Sequence, residues 1–152
     1  MDAISRQDFT FFHPLRVRWS EVDPQGIVFN PNYLAYADIA LTEYMRGIGF
    51  PYPDALLRLG SDLFAVRAEI NFRASAKYDD ELDLAARVSR IGRTSLSLTF
   101  GIFRGEQLLC EVLLTYVNAG RETQRPVPLP EAFLAAVLAY EHRPPERAPP
   151  AG

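Results

Sequence analysis

The chain has 152 residues, of which 48% are hydrophobic and 23% are charged, and its formal net charge is -3. This composition is that of one globular domain long enough to bury a core, and its well-mixed charges exclude the strongly basic character of proteins that bind nucleic acids or anionic membranes. One cysteine, Cys110, excludes an intramolecular disulfide, and with two distant histidines, His13 and His142, it cannot supply a usual zinc site, so no metal is expected.

The single cysteine also favours a reducing, cytoplasmic compartment. The N-terminal stretch MDAISRQDFTFF lacks the apolar segment of a signal peptide. No run approaches the roughly 18 apolar residues that span a bilayer. Neither a membrane nor a nucleic acid is therefore expected as a partner.

Hydrophobic periodicity predicts one long helix between a first strand and a run of four strands. The predicted elements are, in chain order, a strand at 9–19, a helix that starts at 30–31 and ends at 47–49, a short helix or turn at 51–60, strands at 63–72, 82–90, 95–103 and 108–117, and a helix at 131–140.

The first long helix has clear start and stop signals. Asn30 is typical of an N-cap, and Pro31 suits the first helical position, where its missing N–H is not needed. Gly47 and Gly49 are typical of a helix end. One apolar stripe at helical spacing is formed by Leu34, Ala37, Leu41, Met45 and Ile48.

This order predicts an α+β fold in which a five-stranded antiparallel sheet wraps a long central helix. The open edge of such a sheet favours self-association, so a dimer is expected. The domain is predicted to span 1–143, followed by a disordered, proline-rich tail at 144–152.

Two stretches resemble a known family: VRWSEVDPQGIVFNPNYLAYADIALTEYMRGIGFP and NFRASAKYDDELDLAARVSRIGRTSLSLTFGIFR. They are similar to the hotdog-fold acyl-CoA thioesterases of the 4-hydroxybenzoyl-CoA thioesterase family, and the string DPxGIVxxPNY carries most of the likeness. The resemblance implies hydrolysis of an acyl-CoA, no cofactor beyond the coenzyme A of the substrate, and a homodimer assembling to a homotetramer with the active site at the subunit interface.

The resemblance makes a 4-hydroxybenzoyl or other aromatic acyl group the first expectation, with a short or medium aliphatic acyl group second. Asn30 stands where a related branch has histidine and where the 4-hydroxybenzoyl enzyme has tyrosine. A mechanism that needs that histidine therefore does not transfer to this chain.

The resemblance implies that Asp23 is the catalytic carboxylate and that the helix N-terminus at Asn30 polarises the thioester carbonyl. Free N–H groups and the positive end of the helix dipole suit that second role. Because Asp23 precedes Pro24, an extended backbone is favoured there. Asp-Pro-X-Gly is also a common turn composition in which Asp bonds its own backbone, and the sequence leaves a nucleophile and a general base equally open.

Substrate contacts are predicted at five further positions. Asp38 borders the apolar stripe, where it either accepts a hydrogen bond from a phenolic acyl group or leans into water. The other four are Gly26, which lets substrate approach the backbone, Asn32 at the helix start, and the aromatic Phe29 and Tyr33, for which core packing is an equal explanation.

The resemblance places the coenzyme A phosphates at the turn SRIGRTS, with Arg90, Arg93, Thr94 and Ser95 as ligands. Ordinary exposed basic residues are the alternative for each arginine. Two other functions stay open: a non-catalytic acyl-CoA binding protein, and a hotdog dehydratase or hydratase, which usually needs a histidine that the loop and helix lack.

Overall fold

An antiparallel sheet dominates the computed structural model, which describes residues 3–149. Its strand order is β1-β3-β4-β5-β2, and a short β6 pairs in parallel with β3. The strands are β1 (Phe11–Arg16), β2 (Ser61–Phe72), β3 (Glu81–Ile91), β4 (Ser95–Arg104), β5 (Gln107–Gly120) and β6 (Glu146–Arg147). The α+β class and the antiparallel sheet are confirmed, but the expected five strands are six.

Three helices accompany the sheet: α1 (Asn32–Gly47), α2 (Asp54–Leu57) and α3 (Glu131–Tyr140). The core lies between α1 and the inner face of the sheet, with Tyr36 and Tyr44 fully buried. Leu41 and Met45 of the predicted stripe are buried as expected, whereas Leu34 is 38% exposed. A leucine left open on the helix that covers the sheet marks a surface that another group can occupy.

Helix α1 begins one residue later than predicted, because its first helical residue is Asn32 and its N-cap is Pro31, whereas the sequence predicted Pro31 and Asn30 in these positions. The first turn is tight, because Asn32 N–H donates to Phe29 O at 2.9 Å and Tyr33 N–H to Asn30 O at 3.3 Å. Pro31 has helical dihedral angles (φ -63°, ψ -21°), and no side chain caps this end. The chain therefore reaches the helix through a backbone turn instead of an asparagine cap.

The proline-rich tail differs from the prediction of disorder from 144 onwards. Pro145 is buried, β6 pairs with β3 at Arg90 and Ile91, and Ala148 N–H donates to Ile91 O at 2.9 Å. Strand β1 covers only residues 81–86 of β3, so the later part of that edge is open to a returning chain. Residues 150–152 of the predicted tail lie outside the described residues.

Cys110 is buried in β5, and burial raises the pKa of its thiol to about 12, which suits a packing role better than a nucleophilic one. None of the described helices is long and apolar enough to cross a membrane.

Candidate active site

The loop between β1 and α1 is a compact turn built around Asp23. The Asp23 backbone N–H donates to Ile27 O, and Gly26 N–H donates back to Asp23 O, both at 2.9 Å. Gly26 has φ +79°, a left-handed conformation that favours glycine. The Asp23 side chain accepts the Gln25 N–H at 2.8 Å through Oδ1, so the carboxylate makes the turn bond considered above.

The turn bond engages one oxygen of a half-buried carboxylate. No partner within residues 3–149 binds Oδ2, and each carboxylate oxygen offers two lone pairs. The turn therefore orients Asp23 and leaves it able to accept a further hydrogen bond or a proton.

Glu21 ties this loop to α1. Its Oε1 accepts the Tyr36 hydroxyl at 3.1 Å and the Arg18 backbone N–H at 2.8 Å, while its backbone O accepts Asn32 Nδ2 at 2.9 Å. Burial alone would raise the pKa of Glu21, but the hydrogen bonds from Arg18 and Tyr36 hold it below its ordinary value. Glu21 is thus an ionised anchor that fixes the loop against the helix.

The tip of α1 offers one unused backbone donor. Asn32 N–H is engaged by Phe29 O, and Pro31 has no N–H, whereas Asn30 N–H has no hydrogen-bond partner among residues 3–149. An unpaired N–H at the positive end of a helix attracts a developing negative charge. Of the donors expected at this tip, Asn30 is the one that the structure leaves available.

Two cavities lie beside this tip: Asn30 lines one of them and the adjacent Pro31 lines the other. The smaller, of about 180 Å³, is also lined by Val28, Tyr33 and the 72–75 segment after β2. The larger, of about 480 Å³, runs between α1 and the sheet and is mostly apolar. Its walls are Pro31, Leu34, Ala35, Asp38, Leu41, Tyr52, Leu63, Ala65, Ala68, Leu114 and Tyr116.

Asp38 is the one acidic residue in the wall of the larger cavity, facing it from α1. Tyr52 and Tyr116 share that wall, and burial raises the pKa of both, that of Tyr52 to about 12. The negative charge of Asp38 adds to the rise for each tyrosine. The cavity therefore combines apolar walls with two neutral hydroxyls and a carboxylate, which is a setting that orients a small ligand.

The turn between β3 and β4 holds the residues predicted to bind coenzyme A, and they line neither cavity. The backbone carbonyls of Arg93 and Thr94 accept hydrogen bonds from Leu129 N–H (3.0 Å) and Asn118 N–H (2.7 Å), and Ser95 O accepts Gly92 N–H at 2.7 Å. Their backbones are therefore held by neighbouring segments. Arg90 lies apart from them, in a cavity on the other face of the sheet.

The remaining predicted site residues divide between the cavities and the loop. Tyr33 lines the smaller cavity, its hydroxyl accepts the Ala76 N–H at 3.0 Å, and burial raises its pKa. Phe29 is 53% exposed and lines neither cavity. The Asn32 amide is used within the loop, and Asp23 is absent from the walls of both cavities in the single chain.

Histidine and metal chemistry find no support at these cavities. His142 contacts Thr10 Oγ1 at 2.6 Å and Gln7 O at 2.8 Å through its two ring nitrogens, and neither it nor His13 lines either cavity. Within residues 3–149, no cluster of three or more histidine, cysteine, aspartate or glutamate side chains could hold a metal ion.

Sequence reasoning missed Glu21 and the wall residues from β2 and β5, such as Ala68 and Leu114. The sequence Glu-Val-Asp could have pointed to Glu21, because this acid lies just after the predicted first strand and only two residues before Asp23. The wall residues carry no local signal, since they share a cavity only through sheet pairing.

Comparisons with known proteins show the family and the fold of this chain. The sequence model described as the thioesterase superfamily matches residues 25–111. The acyl-CoA thioesterase YbgC of Haemophilus influenzae is 27% identical over 130 residues, which cover 85% of this chain and 95% of that protein.

Among solved structures, a probable thioesterase from Bartonella henselae is 26% identical with a TM-score of 0.72, over 79% of this chain and 98% of its own. A 1,4-dihydroxy-2-naphthoyl-CoA thioesterase from Synechocystis, 20% identical, has a TM-score of 0.76 and shares the fold over 84% of this chain and 94% of its own. The architecture is the hotdog type, with one long helix against an antiparallel sheet.

Proposed function

This chain belongs to the thioesterase superfamily, and we propose that it hydrolyses acyl-CoA thioesters at the tip of α1, with Asp23 as the catalytic carboxylate. The observation that carries the proposal is a helix tip with a free Asn30 N–H and a cavity on either side of it, lined by Asn30 and by Pro31. The YbgC relative is named an acyl-CoA thioesterase and matches this chain over most of both lengths, which supports the proposal that this chain hydrolyses acyl-CoA thioesters.

In the first step, the carbonyl oxygen of the thioester accepts a hydrogen bond from the backbone N–H of Asn30. One well-placed donor of this kind contributes about 3 kcal/mol when the oxygen becomes negative. Asp23 then attacks the carbonyl carbon to form an anhydride, which water hydrolyses to release the free acid and restore the carboxylate, or it takes a proton from a water that attacks the carbonyl carbon directly. In either route the C–S bond breaks and coenzyme A leaves as a thiolate, a better leaving group than an amine.

The acyl group occupies the larger cavity, between Leu34 and Leu114. Asp38 faces that space and accepts a hydrogen bond from a hydroxyl on the acyl group, which favours a hydroxylated aromatic acyl group such as 4-hydroxybenzoyl. The apolar remainder of the wall also suits short or medium aliphatic acyl groups. The pantetheine arm of coenzyme A then extends along the smaller cavity. The β3–β4 turn is the proposed site for the coenzyme A phosphates.

A second copy of the chain completes the site. Strand β2 forms one end of the five-strand path and presents exposed Phe64 and Val66 (45% and 61%) beside an apolar groove of about 420 Å³. An unpaired edge with large exposed apolar side chains favours pairing with another strand. We place the dimer contact at β2, which brings a partner to the segment that lines the smaller cavity, and a tetramer is then a pair of dimers.

The test is thiol release from a panel of aromatic and aliphatic acyl-CoAs by wild type and Asp23→Asn. The amide keeps the oxygen that accepts Gln25 N–H, so the turn and substrate binding should persist. Loss of the carboxylate should lower kcat by about 10²- to 10⁴-fold.

Glu122→Gln is the matched control, because it neutralises an exposed acid distant in sequence from the loop, and it should keep full turnover. Wild type that binds acyl-CoAs tightly but releases no thiol from any of them would instead indicate a binding protein. Full activity in Asp23→Asn would remove Asp23 from the mechanism.

A further inference from the structure

A third cavity, of about 470 Å³, lies on the face of the sheet turned away from α1. Its strand residues alternate with core residues: Ser97 lies between buried Leu96 and Leu98, and Thr115 between buried Leu114 and Tyr116. Ser97 and Thr115 hydroxyls are 3.0 Å apart across β4 and β5. The floor of this outer-face cavity is therefore a row of hydroxyl groups.

Four arginines surround this floor, Arg67, Arg87, Arg90 and Arg143, against a single acidic lining residue, Glu146. Arg67 is paired with Glu69, and Arg143 with Asp8 at 2.5 Å. Arg87 and Arg90 form no ion pair with any residue in 3–149. Two uncompensated guanidinium groups thus share one cavity.

Arg87 is the unusual member, because it is only 8% exposed. Its Nη2 donates to Arg143 O at 3.2 Å, but its Nε finds no acceptor within residues 3–149. Burial, and then the charge of Arg143, lower the pKa of Arg87, while the charges of Glu141 and Asp8 offset this in part. Those two acids are engaged elsewhere, Glu141 by Val88 N–H at 2.9 Å and Asp8 by Arg143.

An isolated buried charge is costly, and arginines in such positions are normally paired. A planar guanidinium with free N–H groups beside hydroxyl donors matches the oxygens of a phosphate. A second copy of the chain docked face to face would bring arginines against arginines, which favours a small anion over self-association.

We infer that the outer-face cavity binds a phosphate group of a small molecule, with Arg87 and Arg90 as its principal ligands and Ser97 and Thr115 beneath it. The phosphate belongs either to the coenzyme A of the substrate or to a separate phosphorylated molecule. Both sources present the same dianionic group, and they are separated by competition.

The experiment titrates inorganic pyrophosphate into the full chain by calorimetry at low ionic strength. Wild type should bind it, and Arg87→Met, which keeps an unbranched apolar stem, should bind roughly tenfold more weakly or worse. Arg90→Gln changes an exposed side chain, so it should fold normally and also weaken binding. Arg121→Gln, an exposed arginine outside the cavity, is the matched control and should bind as wild type does.

Repeating the titration with coenzyme A present identifies the source. Displacement of pyrophosphate, with a raised KM and unchanged kcat in Arg90→Gln, assigns the phosphate to the substrate, whereas simultaneous binding assigns it to a separate molecule. The inference is overturned if wild type binds no pyrophosphate, or if folded Arg87→Met and Arg90→Gln bind it as tightly as wild type. It is also overturned if these variants change only the sedimentation of the protein, which would make this face a subunit contact. Pyrophosphate binding needs no turnover, so this result is independent of the proposed hydrolysis.

Discussion

Asp23 and Asp38 have different surroundings, and the proposed function assigns them different roles. Asp23 is held in a turn by Gln25 N–H at 2.8 Å, in the loop that leads to the α1 tip and its free N–H. Asp38 lines an apolar cavity from the side of α1, together with Tyr52 and Tyr116, whose pKa values burial raises. The first position suits the chemical step, and the second suits recognition of the acyl group.

Replacing Asp38 by alanine should reduce the preference for phenolic acyl groups. A hydrogen bond to a charged group contributes about 1.5 to 3 kcal/mol, so the ratio of kcat/KM for 4-hydroxybenzoyl-CoA over benzoyl-CoA should fall roughly tenfold to a hundredfold. Glu43→Gln, on another side of α1 and paired with Arg46, should leave the ratio unchanged. An unaltered ratio in Asp38→Ala would show that this carboxylate does not contact the acyl hydroxyl.

At the scale of elements, the loop and α1 act as one unit because Glu21 joins them. Its side chain bonds Arg18 and Tyr36, and its backbone O accepts Asn32 Nδ2 at 2.9 Å. Strand β3 and the C-terminal segment form a similar unit through β6, Pro145 and the buried Glu141. In each unit a carboxylate, that of Glu21 or Glu141, accepts hydrogen bonds that fasten one segment to the next.

Glu21→Gln should destabilise the protein by about 1.5 to 3 kcal/mol at neutral pH, because the amide nitrogen cannot accept the bond from Arg18 Nη2 and the remaining bonds lose their charged acceptor. Since the folded state lowers the pKa of Glu21, its contribution is present above the ordinary value of 4.5 and is lost as pH falls through the lowered value. Urea unfolding of both proteins from pH 7 to about 3 should show the difference shrinking below pH 4.5.

The same variant should lower kcat more than it raises KM, because a displaced loop misplaces Asp23 without emptying the acyl cavity. Glu106→Gln, an exposed acid in the β4–β5 turn, serves as the control and should change neither quantity. A stability difference that stays constant with pH would contradict the role of Glu21 as an ionised anchor.

At the scale of the whole molecule, the sheet separates two sets of cavities. The inner face and α1 enclose the proposed reaction site, and the outer face carries the arginine-lined cavity. The β2 edge, with exposed Phe64 and Val66, joins one molecule to the next in the proposed dimer. The proposed catalysis, phosphate binding and assembly would therefore use different surfaces of a single sheet.

Val66→Lys should split the dimer, because a charge on a free edge opposes strand pairing. Sedimentation velocity should report the mass of one chain, and thiol release should fall in parallel. Leu138→Lys, which places the same charge on exposed α3, should keep the dimer and its activity. A Val66→Lys protein that remains dimeric would place the subunit contact elsewhere.

The sequence by itself determined the features that depend on neighbouring residues. Helical periodicity and strand alternation predicted the α-helices and every strand except β6, but not the short 3-10 helices at Arg6–Asp8 and Trp19–Glu21, and α3 has the predicted bounds 131–140. The Asp-Pro-X-Gly stretch indicated the turn around Asp23, because a side chain reaching its own backbone is a local event.

Only the tertiary structure decided which distant residues share a space. Ala68 and Leu114 join Asp38 in one cavity because β2 pairs with β5, and Arg87 meets Arg143 because the C-terminal segment returns to β3. The free N–H at Asn30 likewise depended on how the loop approaches α1. Such contacts arise from pairing and packing between segments far apart in the chain, and no local pattern encodes them.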